Sequence, residues 1–168
     1  MNEQIKNELY SAYFYLSVAS HFEASHLTGF AHWMKAQSQE EVNHAMKFFN
    51  FLLQHGNRVA LLPIDQPPSD FQSPLDAFSQ ALENEKRVTS QIHHLHDLAL
   101  QEQNANAQVL LQWFIEEQVE EEESVSEVIE DLKRVGEDAD AFLQLNIKLG
   151  TRHAEEESPL VGESSPTI

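Results

Sequence analysis

The sequence predicts an all-α protein, an antiparallel four-helix bundle with one long crossover and a short fifth helix near its C-terminal end. Three observations predict it. The composition is rich in Ala, Leu, Gln and Glu but holds only 5 Gly and 6 Pro, which favours helix over sheet. Apolar residues recur at three- and four-residue steps through long segments free of Gly and Pro. The breaks between those segments run short, long, short, the connection pattern of a bundle with a single crossover. At 168 residues the chain fits one domain. That domain is expected over 1–150, with 151–168 as a flexible polar tail.

The first helix is expected from Met1 to about Ser25, with Ile5, Leu9, Ala12, Leu16 and Ala19 as its buried stripe. His26-Leu27-Thr28-Gly29 breaks it. A second helix then runs from Phe30 to His55, carrying Trp33, Met34, Ala45, Phe48, Phe49 and Leu52, and stops at Gly56. Residues 57–72 contain Pro63, Pro67 and Pro68, too many prolines for a helix and too long for a turn, so this stretch crosses the length of the bundle. Ser73-Pro74 reads as an N-cap followed by a first-turn proline, starting a third helix that reaches about Gln103. After Asn104-Ala105-Asn106 a fourth helix continues to Val135 and stops at Gly136; Asp138 to about Leu149 forms the short fifth. Each of the four main helices would be roughly 40 Å long.

The formal charge of -18 leaves no basic stripe, which argues against nucleic acid and for cations as partners. A solubilising surface explains much of that acidity equally well. With no cysteine there is no disulfide framework, thiolate metal site or cysteine nucleophile, which is compatible with a reducing cytoplasm. The run from Ala12 to Ser20 lacks a basic start and is interrupted by Ser17, so it is expected to be helix and not an export signal. No apolar stretch approaches the roughly 18 to 20 residues that cross a bilayer.

The strongest feature is a repeated spacing. Glu8 lies 33 residues before Glu41-Val42-Asn43-His44, and Glu85 lies 33 residues before Gln118-Val119-Glu120-Glu121. Two helical hairpins thus carry oxygen and nitrogen ligands at equivalent heights. Positions i and i+3 share a helix face, so Glu41 with His44, and Gln118 with Glu121, can converge on one point. Di-iron bundle proteins use this plan of one Glu from each of two helices and an i, i+3 pair from each of the others. Carboxylates with an imidazole suit iron that cycles between Fe(II) and Fe(III). Burying Glu8, Glu41, Glu85 and Glu121 without cations would cost several kcal/mol per ion.

Any one of these Glu residues, taken alone, reads better as solvated helix surface, and His44 alone as a hydrogen-bonded histidine. Helix order, spacing and intervening apolar stripes together change that balance. Tyr15, two turns after Glu8 on the same face, could hydrogen-bond a ligating carboxylate or supply an electron; core packing is its ordinary role. Trp113 reads as core. His93, His94 and His96 point in different directions around a helix and are expected on the surface.

NELYSAYFYLS around Glu8, QEEVNHA around Glu41 and His44, ENEK around Glu85 and LQWFIEEQVEEEE around Gln118 together resemble the ferritin family, especially its haem-free bacterial members. The resemblance spans all five predicted helices. It implies an iron-storage ferroxidase in which Glu8, Glu41 and His44 hold a first iron and Glu41 bridges to a second held by Glu85, with Gln118 and Glu121 both open as its remaining ligand. It further implies a third iron position on Glu40, Glu117, Glu120 and Glu121, a tyrosine beside the pair at Tyr15, and a cytoplasmic homo-oligomeric shell of twenty-four subunits. Its reactants are Fe(II) with O2 or H2O2. Bacterioferritins place a haem-ligating methionine directly after the bridging glutamate; Val42 stands there, so no haem is expected. They and rubrerythrin-like proteins also carry a second Glu-x-x-His pair where this chain has Gln118 and Glu121. The first helix begins several residues later than is usual in the family, so Met1 is expected to be a late or trimmed start.

Two rivals remain at this stage. A metal-free acidic bundle that binds a partner would leave Glu8, Glu41, His44 and Glu85 facing solvent. A di-iron oxygenase or peroxide-removing enzyme would keep the centre on a smaller oligomer.

Overall fold

The computed structural model describes residues 1–152; the remainder of the expected tail, 153–168, lies outside the described residues. Five helices follow in order, α1 (Asn2–Ala24), α2 (Thr28–Gln54), α3 (Pro74–Gln101), α4 (Ala105–Val135) and α5 (Ala139–Leu149), with no strand among the described residues. α1 packs along α2 and α3 along α4, and α5 lies against α2 and α4. This is the four-helix bundle with a short fifth helix that composition and spacing predict.

The long connection runs beside α1. The Ala60 amide donates to Asn2 Oδ1 near one end of that helix, the Ser17 hydroxyl donates to the Pro68 carbonyl further along, and Phe71 packs on Phe14 and His21. The crossover therefore spans the bundle's length. The Ser73 hydroxyl accepts from the Asp76 amide with Pro74 at the first turn, as the sequence predicts for the start of α3.

Two details differ from expectation. α2 begins at Thr28, so Thr28 and Gly29 belong to the helix and not to the loop. Its N-cap residue, Leu27, offers no side-chain acceptor; instead Asn146 of α5 accepts from the Gly29 and Phe30 amides, capping α2 from across the fold. Gly29 is required for that approach, because a Cβ there would sit 1.6 Å from the Asn146 carbonyl oxygen. Second, Leu16 is exposed, whereas Glu8, Ser11 and Tyr15 are buried. The inner face of α1 is set by where the other helices sit, and that face includes polar residues an apolar count passes over.

The apolar interior forms two clusters. One contains Phe14, Val18, Phe22, Phe30, Trp33, Phe78, Val125 and Leu145; the other contains Ile5, Ala45, Phe48, Val88, Ile92, Leu111 and Phe114. On every long helix the stretches feeding these clusters are separated by a few positions, and those positions are Glu8, Glu41 and His44, Glu85, and Gln118 and Glu121. A polar layer thus lies between two greasy ends.

Candidate metal centre

Each long helix contributes to this layer from a central turn, where two apolar clusters hold the backbone on both sides. Glu8, Glu41, His44, Glu85, Gln118 and Glu121 are all at most 5% exposed. Solvated helix faces do not look like this, so the solvent-facing arrangement expected of a partner-binding acidic bundle is excluded for Glu8, Glu41, His44 and Glu85.

Ligand atoms of Glu8, Glu41 and His44 lie within 4.8 Å of one another, as do those of His44, Glu117 and Glu121. His44 Nδ1 is 3.7 Å from Glu41 Oε2, and its Nε2 is 3.6 Å from Glu117 Oε1. Glu85 enters from α3, accepting from the Tyr15 hydroxyl and, at 3.5 Å, from the Gln118 amide. Gln118 also donates toward the Glu85 carbonyl and the Thr89 hydroxyl. Among buried atoms, Glu8 Oε2 and Glu41 Oε1 receive no N–H or hydroxyl donor among the described residues, and the two carboxyl groups can hydrogen-bond each other only while one keeps a proton. An acceptor buried this way costs about 1–3 kcal/mol or more for a charged group unless a cation or proton meets it.

Protonation follows from that crowding. Burial pushes Glu8 up to about 7, against the pull of His44 and of the hydrogen bond from Gln4. Burial, then the charge of Glu85, pushes Glu121 up to about 8 and Glu41 well above the ordinary carboxylate range. Burial also raises Glu85, although Tyr15 and Gln118 hydrogen bonds pull the other way. Burial acts to lower His44, but the carboxylates of Glu117 and Glu41 outweigh it and hold the imidazole well above its usual value. Tyr15, buried among the same carboxylates, is raised far enough to stay a phenol. Without cations the layer keeps protons, and cations entering it must displace them.

Around these residues sit two buried side chains that the sequence reading missed. Gln4 donates to Glu8 Oε1 at 2.9 Å, and Gln37 donates to Glu121 Oε2. Both lie four residues before a central glutamate, Glu8 and Glu41, and that shared helical phase was the available signal. Such partners fix the orientation of the carboxylates they meet.

Beside the layer is a small cleft lined by Glu40, His44, Glu117, Glu120, Glu121, Ser124 and Arg152. Glu40 and Glu121 are buried, Glu117 is half-buried and Glu120 is exposed, so the four carboxylates named from the resemblance lie together but in unequal surroundings. Trp113 is half-buried, edge-on to His44 and Phe114, with the Lys47 ammonium 4.3 Å above its ring. His93 and His94 are exposed and His96 half-buried, and none belongs to a metal-competent group among the described residues.

A family model described as a ferritin-like domain matches residues 1–135. A bacterial non-heme ferritin of Bacteroides fragilis is 38% identical over 152 residues, covering 90% of this chain and 94% of that protein. One from Staphylococcus aureus is 32% identical over 157 residues, 94% of this chain and 95% of that one. Among solved structures, an engineered closed form of the Archaeoglobus fulgidus ferritin is similar with a TM-score of 0.90 and 47% identity, covering 92% of this chain and 94% of that one. The open pore ferritin of the same archaeon gives 0.89 and 47%, covering 90% and 94%.

Proposed function

Because the chain belongs to the ferritin family, we propose that it is an iron-storage subunit that oxidises Fe(II) at the buried layer and passes Fe(III) to the inside of a multi-subunit shell. The observation that carries this reading is the convergence of Glu8, Glu41 and His44, all buried, with ligand atoms within 4.8 Å of one another. Glu8, Glu41 and His44 hold the first iron. Glu41 reaches to the second, which Glu85 and Glu121 hold. Gln118 orients Glu85, since its amide already donates to that carboxylate. Glu40, Glu117 and Glu120, with Glu121, form a third position on the cleft. The relatives' name, non-heme ferritin, and Val42 both favour a subunit without haem.

Iron is the substrate here, and the protein's part is placement and charge. Two Fe(II) give up one electron each; dioxygen takes both electrons with two protons and leaves as hydrogen peroxide, or hydrogen peroxide takes both electrons with two protons and leaves as two waters. Tyr15 keeps its proton and holds Glu85 in place during loading. The carboxylates stabilise the extra ferric charge. The cleft, about 50 Å³, has room for ions and waters. The words "open pore" and "closed form" applied to the archaeal relatives speak for a hollow shell, which we read here as twenty-four subunits. No helix among the described residues is long and apolar enough to cross a membrane, and a cytoplasmic location fits the cysteine-free sequence.

The test loads a sized particle anaerobically with Fe(II) and follows ferric absorbance on exposure to oxygen. Wild type saturates a fast phase near two or three irons per subunit. Glu41→Ala assembles to the same size but oxidises iron about 100-fold more slowly. A variant that keeps the wild-type rate overturns the assignment.

A further inference from the structure

Arg152 is the last described residue, yet three long-range contacts hold it. His32 of α2 contacts the Arg152 carbonyl at 2.7 Å and the guanidinium lies 4.2 Å above the Trp33 ring, on a helix start that Asn146 of α5 caps. From there Arg152 Nη2 donates to Glu40 Oε2 at 2.7 Å, with the two side chains only 18% and 7% exposed. This guanidinium is built into the wall of the cleft that Glu40, Glu117, Glu120 and Glu121 line.

We infer that Arg152 is a fixed counter-charge that keeps the cleft a weak, transit position for divalent cations by holding Glu40 away from them. The inference rests on reading Glu40, Glu117, Glu120 and Glu121 as an ion position. An arginine stays charged at all working pH values, so the block is permanent and not pH-gated. A positive charge hydrogen-bonded to one ligand acts twice: it occupies a carboxylate oxygen and repels the incoming ion in a half-buried setting where screening is weak. Among the described residues the centre's own side chains are Glu8, Glu41, His44, Glu85, Gln118 and Glu121, and the ionisable ones can give up their protons to an incoming ion. Cations therefore settle in the centre and pass through the cleft.

The test uses zinc, a divalent ion without redox chemistry, titrated calorimetrically into the assembled, metal-stripped protein. Wild type takes two ions per subunit tightly and the cleft ion weakly. Arg152→Gln keeps those two and binds the cleft ion ~10-fold tighter or more. Arg152→Lys, which keeps the charge, stays nearer wild type, and Glu40→Gln/Arg152→Gln loses the gain. An unchanged Arg152→Gln titration leaves Arg152 as a structural pin only and overturns the inference, as does a gain that survives in the double variant. Wild type binding no zinc at all removes the two-ion reading and this inference together. If Arg152→Gln does not assemble, zinc-loaded crystals of wild type decide: an empty cleft with the pair intact supports the inference, and an ion on Glu40 with Arg152 displaced overturns it. An ion on Glu40 beside an intact Arg152–Glu40 pair overturns it.

Discussion

The buried layer and the cleft beside it are made largely of the same residue, glutamate, and differ in what surrounds it. In the layer, Glu8, Glu41, Glu85 and Glu121 sit between two apolar clusters, and burial raises all four above the ordinary carboxylate value. In the cleft, Glu120 is exposed and Glu117 half-buried, and Glu40 is met by a guanidinium. Glutamate alone does not make an ion site. Withdrawal from water without an arginine alongside is what sets the layer apart, and under the proposed function it makes the layer the tighter of the two ion positions.

The comparison breaks most clearly by removing one carboxylate from each region. Glu85→Ala is expected to slow the fast phase of Fe(II) oxidation about 100-fold, and Glu120→Ala only a few-fold, in stopped-flow absorbance of assembled particles. Equal losses would mean that the two regions act as one site.

Next in size is a pH effect confined to the layer. Glu8, Glu121 and His44 bind protons more tightly in the folded chain than in an unfolded one. The stability that Glu8 and Glu121 contribute to the metal-free protein is therefore complete below 4.5 and lost as pH rises through about 7 and about 8 respectively. The thermal midpoint of chelator-stripped protein should fall between about pH 5 and about pH 8.5 as these protons are lost. Zinc should restore it most at the upper end, where few protons compete. A midpoint that climbs over this range in the stripped protein would show that these carboxylates ionise freely.

Smaller effects come from residues that only aim the ligands. Gln37→Leu removes the donor to Glu121 and should weaken binding of the second ion about 10-fold by calorimetry, leaving the first largely intact. Tyr15→Phe takes one hydrogen bond from Glu85; oxidation should slow about threefold with ion stoichiometry unchanged. A tenfold or greater loss in rate with unaltered binding would instead point to electron donation by the phenol.

Much of this was legible in the chain itself. Helix phase is a local property, so the 33-residue repeat and the i, i+3 pairs put Glu8, Glu41, His44, Glu85 and Glu121 at matching heights before any contact is known. Ser73-Pro74 and the prolines of 57–72 marked one helix start and the crossover for equally local reasons. What was misread depended on partners distant in sequence. Leu16 looks like core until the other helices choose which face of α1 to cover, and Thr28-Gly29 looks like loop until Asn146 caps it. Gln4 and Gln37 were missed because their role appears only once burial sets each against a carboxylate.

The sequence by itself thus determined the helices, their order and the rungs at which acidic residues face inward, because a regular helix converts spacing into direction. The tertiary structure alone decided which of those acids lose contact with water and which meet Arg152, because desolvation and ion pairing depend on what residues far along the chain bring alongside.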